Sequence, residues 1–232
     1  MKRIRRLAAL AAAVVVVMTL SACGGLAGDK VKDDGQVYLQ GLLDNLYLGQ
    51  QNQDYLDLFE MSAGDASQEY ADGLEAEAYR FAYTFGIDDL SGEVETQIEE
   101  VLKEAYKNAK YTIQSSTKLE SGNYAMEVEI QPIDVMIRIT DDDLVTAWEQ
   151  TMEQFGVTQE EVTAMSDEEY FPLDHHYAGL VLDQVRANLE HVGYEPAVTV
   201  TMTLQKDDEG YYDFSQDDFD RLDAKIMPYV SD

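Results

Sequence analysis

Tyr124-Ala-Met-Glu-Val-Glu-Ile-Gln131 is the stretch that decides the fold. Tyr124, Met126, Val128 and Ile130 alternate with Ala125, Glu127, Glu129 and Gln131, so the segment has one apolar and one polar face. A strand of this kind belongs to an antiparallel sheet with one wet side. Upstream, Tyr111 and Ile113 open a partner strand, and Glu120-Ser121-Gly122-Asn123 is the turn between the two. Beyond Pro132 the apolar set changes parity to Ile133, Val135, Ile137 and Ile139. Two readings fit: a bulge or bend at the proline, or a strand that ends at Gln131 and a second that begins after it.

A second alternating stretch follows much later, where Val198, Val200, Met202 and Leu204 interleave with Thr199, Thr201 and Thr203. Asp207-Asp208-Glu209-Gly210 turns the chain, and Tyr211 to Phe214 returns it. The remaining segments have helical spacing. Leu39, Leu42, Leu43 and Leu46 precede Gly49, Tyr55 to Phe59 is a short segment, and a stripe from Tyr70 to Phe85 stops at Gly86. Ser91 can cap a helix buried through Val94, Ile98, Val101 and Leu102. Thr140-Asp-Asp-Asp143 fits a capping box ahead of Leu144, Trp148 and Phe155, and Thr158 can cap a short helix through Ala164. Ser166-Asp-Glu-Glu169 is another cap pattern, with Pro172 restarting a helix that ends at Gly193. Ser215-Gln-Asp-Asp218 caps the last helix. The order is helices, hairpin, helices, hairpin, helix. It predicts an α+β domain, an antiparallel four-stranded sheet of two hairpins with helices packed on one face. Two smaller domains meeting near residue 140 are the alternative.

Charge narrows the function. All 46 acidic residues lie after residue 28, and four of the 16 basic ones (Lys2, Arg3, Arg5, Arg6) lie in the first six positions. Without that N-terminus the chain would carry 12 basic and 46 acidic groups, a net charge of −34. Nucleic acid as a partner is excluded by this balance, because phosphate neutralisation needs a Lys/Arg surface. The 45% hydrophobic content indicates a folded chain rather than an acidic disordered one.

The basic N-terminus continues into an apolar run of 14 residues, Leu7 to Leu20, which has the length of a secretory core and is too short to span a bilayer. Leu20-Ser21-Ala22-Cys23 resembles the bacterial lipobox. The resemblance implies a signal peptide over 1–22 and a diacylglyceryl group on Cys23, the sole cysteine. Two acyl chains suffice for stable anchoring. Residues 23–35, with Gly28-Asp-Lys30 and Lys32-Asp-Asp-Gly35, read as a flexible tether, and 36–232 as the folded domain. The expected location is the outer face of a cell membrane, with the lipid anchor as the contact.

The segment Tyr124 to Asp134, with Tyr47-Leu-Gly, Tyr70-Ala-Asp-Gly-Leu-Glu75 and Tyr106-Lys-Asn-Ala-Lys-Tyr111 upstream, resembles a family of surface lipoproteins of Gram-positive bacteria. The resemblance covers roughly residues 36–220. It implies a cystatin-like or NTF2-like sheet-and-helix fold and brings no established activity and no catalytic residues.

Sites for chemistry are scarce. Asp174-His175-His176 and His191 are the obvious metal suspects, yet adjacent histidines point about 100° apart on a helix and do not converge, so no metal is expected there. The acidic runs Asp141–Asp143, Asp207–Glu209 and Asp217–Asp220 lack the spacing of a calcium loop and read as caps or turns. There is no Gly-x-Ser-x-Gly, no phosphate-cradling loop and no His-Glu-x-x-His, so neither a catalytic role nor a cofactor is expected. Of fifteen tyrosines, Tyr211 and Tyr212, with Tyr170 beside Phe171, are the candidates for exposed binding aromatics. The expected function is non-catalytic binding of a protein, peptide or envelope component, for which a basic partner would suit the charge. The alternative is a small-ligand or weakly enzymatic pocket between sheet and helices.

Overall fold

The alternation at 124–131 becomes β2 (Tyr124–Gln131), whose inward residues Tyr124, Met126, Val128 and Ile130 are at most 3% exposed. The structure is a computed structural model describing residues 28–206 and 212–229, with side chains described from residue 33. Residues 1–27, including Cys23, and Tyr211 lie outside the described residues. β1 (Lys110–Lys118) pairs antiparallel with β2, placing Tyr111 opposite Ile130 and Ile113 opposite Val128. The register slips between Ile113 and Ser115, a bulge at Gln114. β3 (Val198–Lys206) pairs with the other edge of β2, so that Val200, Met202 and Leu204 face the same way as Val128, Met126 and Tyr124. β4 (Tyr212–Phe214) pairs with Leu204–Lys206, giving the order β1-β2-β3-β4. The β1–β2 turn and the part of β3 that pairs with β4 therefore lie at one end of the sheet. The fold is α+β, with this antiparallel sheet built from two hairpins.

Helices α1 (Gly28–Leu48), α2 (Gln53–Leu58), α3 (Ala63–Phe85) and α4 (Gly92–Tyr106) precede the sheet. Helices α5 (Asp141–Phe155), α6 (Gln159–Ala164) and α7 (Asp167–Leu189) fill the connection from β2 to β3, and α8 (Gln216–Ile226) follows β4. α1 and α8 lie against the sheet, α3 and α4 behind α1, and α7 between α4 and α5. One buried cluster joins residues on both sides of position 140, from Tyr38 to Tyr229. The opposite sheet face, with Thr112, Thr117, Glu127, Thr199 and Thr201 exposed, is open to water.

Local chemistry explains most boundaries. Thr140 and Asp143 form a reciprocal capping box at α5, as do Thr158 and Glu161 at α6 and Ser62 and Asp65 at α3. Gly86 and Gly156 end α3 and α5 with φ of 72° and 65°, a left-handed turn that costs glycine little. The carboxylate of Asp218, in the first turn of α8, accepts the Thr203 N–H at 2.6 Å, and Arg221 pairs with Asp218. That contact satisfies part of the β3 edge where the short β4 has ended.

Three expectations are corrected. Gly28 to Gly35 is not tether but the start of α1. Its glycine signals close packing: a Cβ on Gly35 would lie 2.6 Å from Leu204 Cδ2 and Met126 Cε. The shifted parity after Pro132 is neither a bulged continuation nor a second strand. Ile133 makes one bridge to Tyr194, residues 135–138 turn, and Met136 is buried instead of Ile137. The backbone there bonds to the end of α8 and to the segment that follows α7, Ile133 N–H to Ile226 O at 3.0 Å and Asp134 N–H to Gly193 O at 3.2 Å. Finally, α7 starts at Asp167 and runs through Pro172 rather than restarting there. Burial of Leu173, Tyr177, Ala178 and Val181 holds the helix past the missing N–H.

Candidate functional site

The concave surface of interest lies between the second half of α1 and the start of β1. Tyr111 points inward from β1, and Gln40, Asp44 and Leu48 recur on one face of α1 at four-residue spacing. These residues, with Ala109, Lys110, Thr112, Glu129 and Gln131, line a groove of about 410 Å³. Its polar groups are ordered by mutual hydrogen bonds. The Tyr111 hydroxyl donates to Asp44 Oδ1 at 2.7 Å, and Gln40 Nε2 donates to the same oxygen at 2.7 Å. On the strand side Gln114 Nε2 donates to Glu129 Oε2 at 2.8 Å. The Lys110 ammonium sits 3.7 Å from the centre of the Tyr194 ring, a cation–π contact. Burial, then the bond to Asp44 and its charge, push the Tyr111 phenol far above its usual range, so it is a neutral donor and not a base. The groove thus offers carboxylate and carboxamide acceptors, amide donors and a hydroxyl, with Leu48 and Ala109 as its apolar part.

A second polar centre is half-buried, with Glu77 inside and Arg80 and Asp223 reaching the surface. Glu77 and Arg80 on α3, Asp223 on α8, Tyr47 on α1 and Tyr229 beyond α8 converge. Tyr229 OH donates to Glu77 Oε1 at 2.6 Å, and Tyr47 OH donates to Asp223 Oδ1 at 3.0 Å. Arg80 Nη1 lies 2.9 Å from Asp223 Oδ2 and 3.5 Å from Glu77 Oε2, and its guanidinium stacks over Tyr229. Burial first, then the Asp223 carboxylate, push the Glu77 carboxyl up to about 7, against the opposing pull of Arg80 and Tyr229. This centre ties α1, α3 and α8 to the segment that follows α8.

The residues singled out in the sequence are placed as follows. Tyr170 is half-buried, its hydroxyl donating to Asp88 Oδ2 at 2.9 Å and Asp174 Oδ1 at 3.1 Å. Asp174, wholly buried, also accepts the N–H groups of Asp88 and Asp89 at 2.9 and 2.8 Å, fastening the α3–α4 loop to α7. Phe171 is half-buried beside it. Tyr212 is half-buried on β4, against Tyr124. Tyr170 and Phe171 sit together on α7, and Tyr212 sits on β4, a separate element. Tyr211 and the lipidation candidate Cys23 lie outside the described residues. Among the described residues the exposed aromatics are Phe155 at 39%, at the end of α5, and Tyr79 at 44% and Tyr83 at 69%, one helical turn apart on α3. Sequence reading missed the two tyrosines, although their i, i+4 spacing places them together. The histidines diverge: His175 Nε2 lies 2.6 Å from Asp89, and His176 Nδ1 lies 3.0 Å from Thr151.

The sheet–helix interior, where a small-ligand pocket was the alternative, is filled. Met126, Val128, Ile130, Met202 and Leu204 are each 0% exposed, and Leu39, Leu43 and Leu222 occupy the space above them.

The sequence matches no protein-family profile and no curated protein. Its fold is similar to that of a crystal structure of ycdA from Bacillus subtilis, a protein assigned provisionally as a lipoprotein. The TM-score is 0.53 at 18% identity, over 86% of this chain and 57% of that one. The likeness extends to the fold, and this chain spans little more than half the length of that protein. No helix among the described residues is long and apolar enough to cross a membrane.

Proposed function

We propose that this chain is an extracytoplasmic lipoprotein, anchored through a diacylglyceryl group on Cys23, that binds a polyhydroxylated envelope component without converting it. The observation that carries the binding reading is the α1–β1 groove, with its mutually oriented carboxylates, carboxamides and hydroxyl. Pre-formed hydrogen-bonding groups lower the ordering cost of a polar ligand. The non-catalytic reading draws support from the same geometry. Asp44 and Glu129 already accept hydrogen bonds from neighbouring side chains, and Tyr111 stays protonated, so the groove presents fixed partners rather than an acid and a base. The lipobox resemblance supports anchoring, and the shared fold with a provisionally assigned lipoprotein agrees with it.

Saturation-transfer NMR with oligosaccharides released from the cell envelope tests the binding. Transfer to sugar protons in the parent protein, lost in Thr112→Trp, which fills the groove from an exposed strand position, is the expected result. Equal transfer in both proteins would place binding elsewhere, and none in either would refute the reading. Intact mass measurement of the membrane-extracted protein beside Cys23→Ala tests the anchor.

A further inference from the structure

The hydrogen bonds inside the α1–β1 groove fix which capacity is left for a ligand. The ordered donors are turned onto the groove's own carboxylates. The Tyr111 hydroxyl and Gln40 Nε2 both donate to Asp44 Oδ1 at 2.7 Å, and Gln114 Nε2 donates to Glu129 Oε2 at 2.8 Å. The second oxygens, Asp44 Oδ2 and Glu129 Oε1, accept no hydrogen bond among the described residues. Nor does any described Lys, Arg or His form an ion pair with Asp44 or Glu129. Lys110 is the basic side chain of the groove lining, and its ammonium lies over the Tyr194 ring, 3.7 Å from the centre. The groove therefore holds two carboxylates without a cation beside either. Both residues are half-buried, so water and salt screen them less than the acids on the outer helix faces.

We infer that the ligand of this groove is a sugar bearing a free, protonated amine, its ammonium paired with the open carboxylate oxygens of Asp44 or Glu129 and its hydroxyls with Gln40, Thr112 and Gln131. This rests on the groove as the binding site of a polyhydroxylated component, proposed above, and adds the charge which that component carries. An ammonium has three donors and no acceptor, which matches a site whose spare capacity is in acceptors. Its hydrogen bonds to carboxylates are charge-assisted and roughly twice as strong as neutral ones. A sugar hydroxyl uses the same oxygens without compensating their charge. An acetylated amine loses the charge and brings a carbonyl acceptor that the site has little to donate to. An anionic sugar is repelled twice over, by the groove and by a chain with 46 acidic and 16 basic residues, whose field over a concave surface concentrates cations.

The test compares two probes that differ at nitrogen alone, a β-1,4-linked tetramer of glucosamine and the same tetramer fully N-acetylated. Each is titrated by calorimetry into the full chain at about pH 6, where a sugar amine carries its proton. The amine form is expected to bind on the order of tenfold more tightly at low salt, an advantage that shrinks as sodium chloride is raised. Asp44→Asn and Glu129→Gln each remove a charge and keep an oxygen for the hydrogen bonds now accepted there. Both are expected to unfold at the parent temperature and to lose much of the amine advantage, and Thr112→Trp is expected to abolish binding of the amine form. Equal affinity for the two probes, or tighter binding of the acetylated one, would overturn the inference and leave the groove reading standing. An amine preference unchanged in all three variants would assign it to the acidic surface at large and overturn the inference too. Binding of neither tetramer, with saturation transfer to envelope oligosaccharides still seen, would overturn the inference alone, and silence in both experiments would overturn the groove reading with it.

Discussion

Glu77→Gln isolates the energetic consequence of the half-buried centre between α3 and α8. Glu77 is 8% exposed, and its carboxyl is raised from 4.5 to about 7, chiefly by burial and then by Asp223. The folded state consequently holds a proton through a pH window in which the unfolded chain releases it. The stability this proton contributes is fully present below about pH 4.5, falls as pH rises through the window, and is lost above about 7. At 1.36 kcal/mol per pKa unit the loss is at most about 3 kcal/mol. Gln keeps an acceptor for the Tyr229 hydroxyl, now 2.6 Å from Glu77 Oε1, and gives up only the 3.5 Å approach of Arg80, which retains Asp223 at 2.9 Å. Urea unfolding followed by the single tryptophan, Trp148, should show parent and variant close together at pH 5. At pH 8 the variant should be more stable, by about 1–3 kcal/mol. Self-repulsion of the acidic chain weakens both proteins as pH rises, so the difference between them is the quantity to read. A difference constant from pH 5 to pH 8 would refute the reasoning.

Three further outcomes follow from particular contacts. Asp218→Ala strips the Thr203 N–H and Arg221 of their partner at the β3 edge, and urea unfolding should register a loss of about 1–3 kcal/mol. A Cβ on Gly41 would fall 2.2 Å from Tyr55 Cβ, so Gly41→Ala must push α1 from α2, with an expected loss of about 1–3 kcal/mol in the same assay. Asp174→Ala releases the α3–α4 loop from α7, and hydrogen exchange at the Asp88 and Asp89 amides should accelerate while the β2 amides remain protected.

Both hairpins, the wet sheet face and most helix caps were legible in the sequence, because each depends on residues a few positions apart. The period of two at Tyr124–Gln131 needs only the alternation of a strand, and Thr140 needs only Asp143 to close its cap. Where the partner is distant, local reading failed. Gly35 looked like linker because the Leu204 and Met126 side chains that require a glycine there lie more than ninety positions away. Tyr170 looked like an exposed aromatic because Asp88, which accepts from its hydroxyl, comes from the α3–α4 loop 82 positions away. The groove had no sequence signal, since Asp44 and Tyr111 meet across 67 positions and no short-range pattern joins them. The sequence by itself determined an acidic α+β chain with a lipobox-like start and two one-faced hairpins, for these follow from composition and short-range periodicity. Only the tertiary structure decided that α1 reaches back to Gly28, that Glu77 is buried beside Asp223, and that α1 and β1 leave a polar groove between them, because each depends on which distant surfaces the packing of α1 and α8 on the sheet brings together.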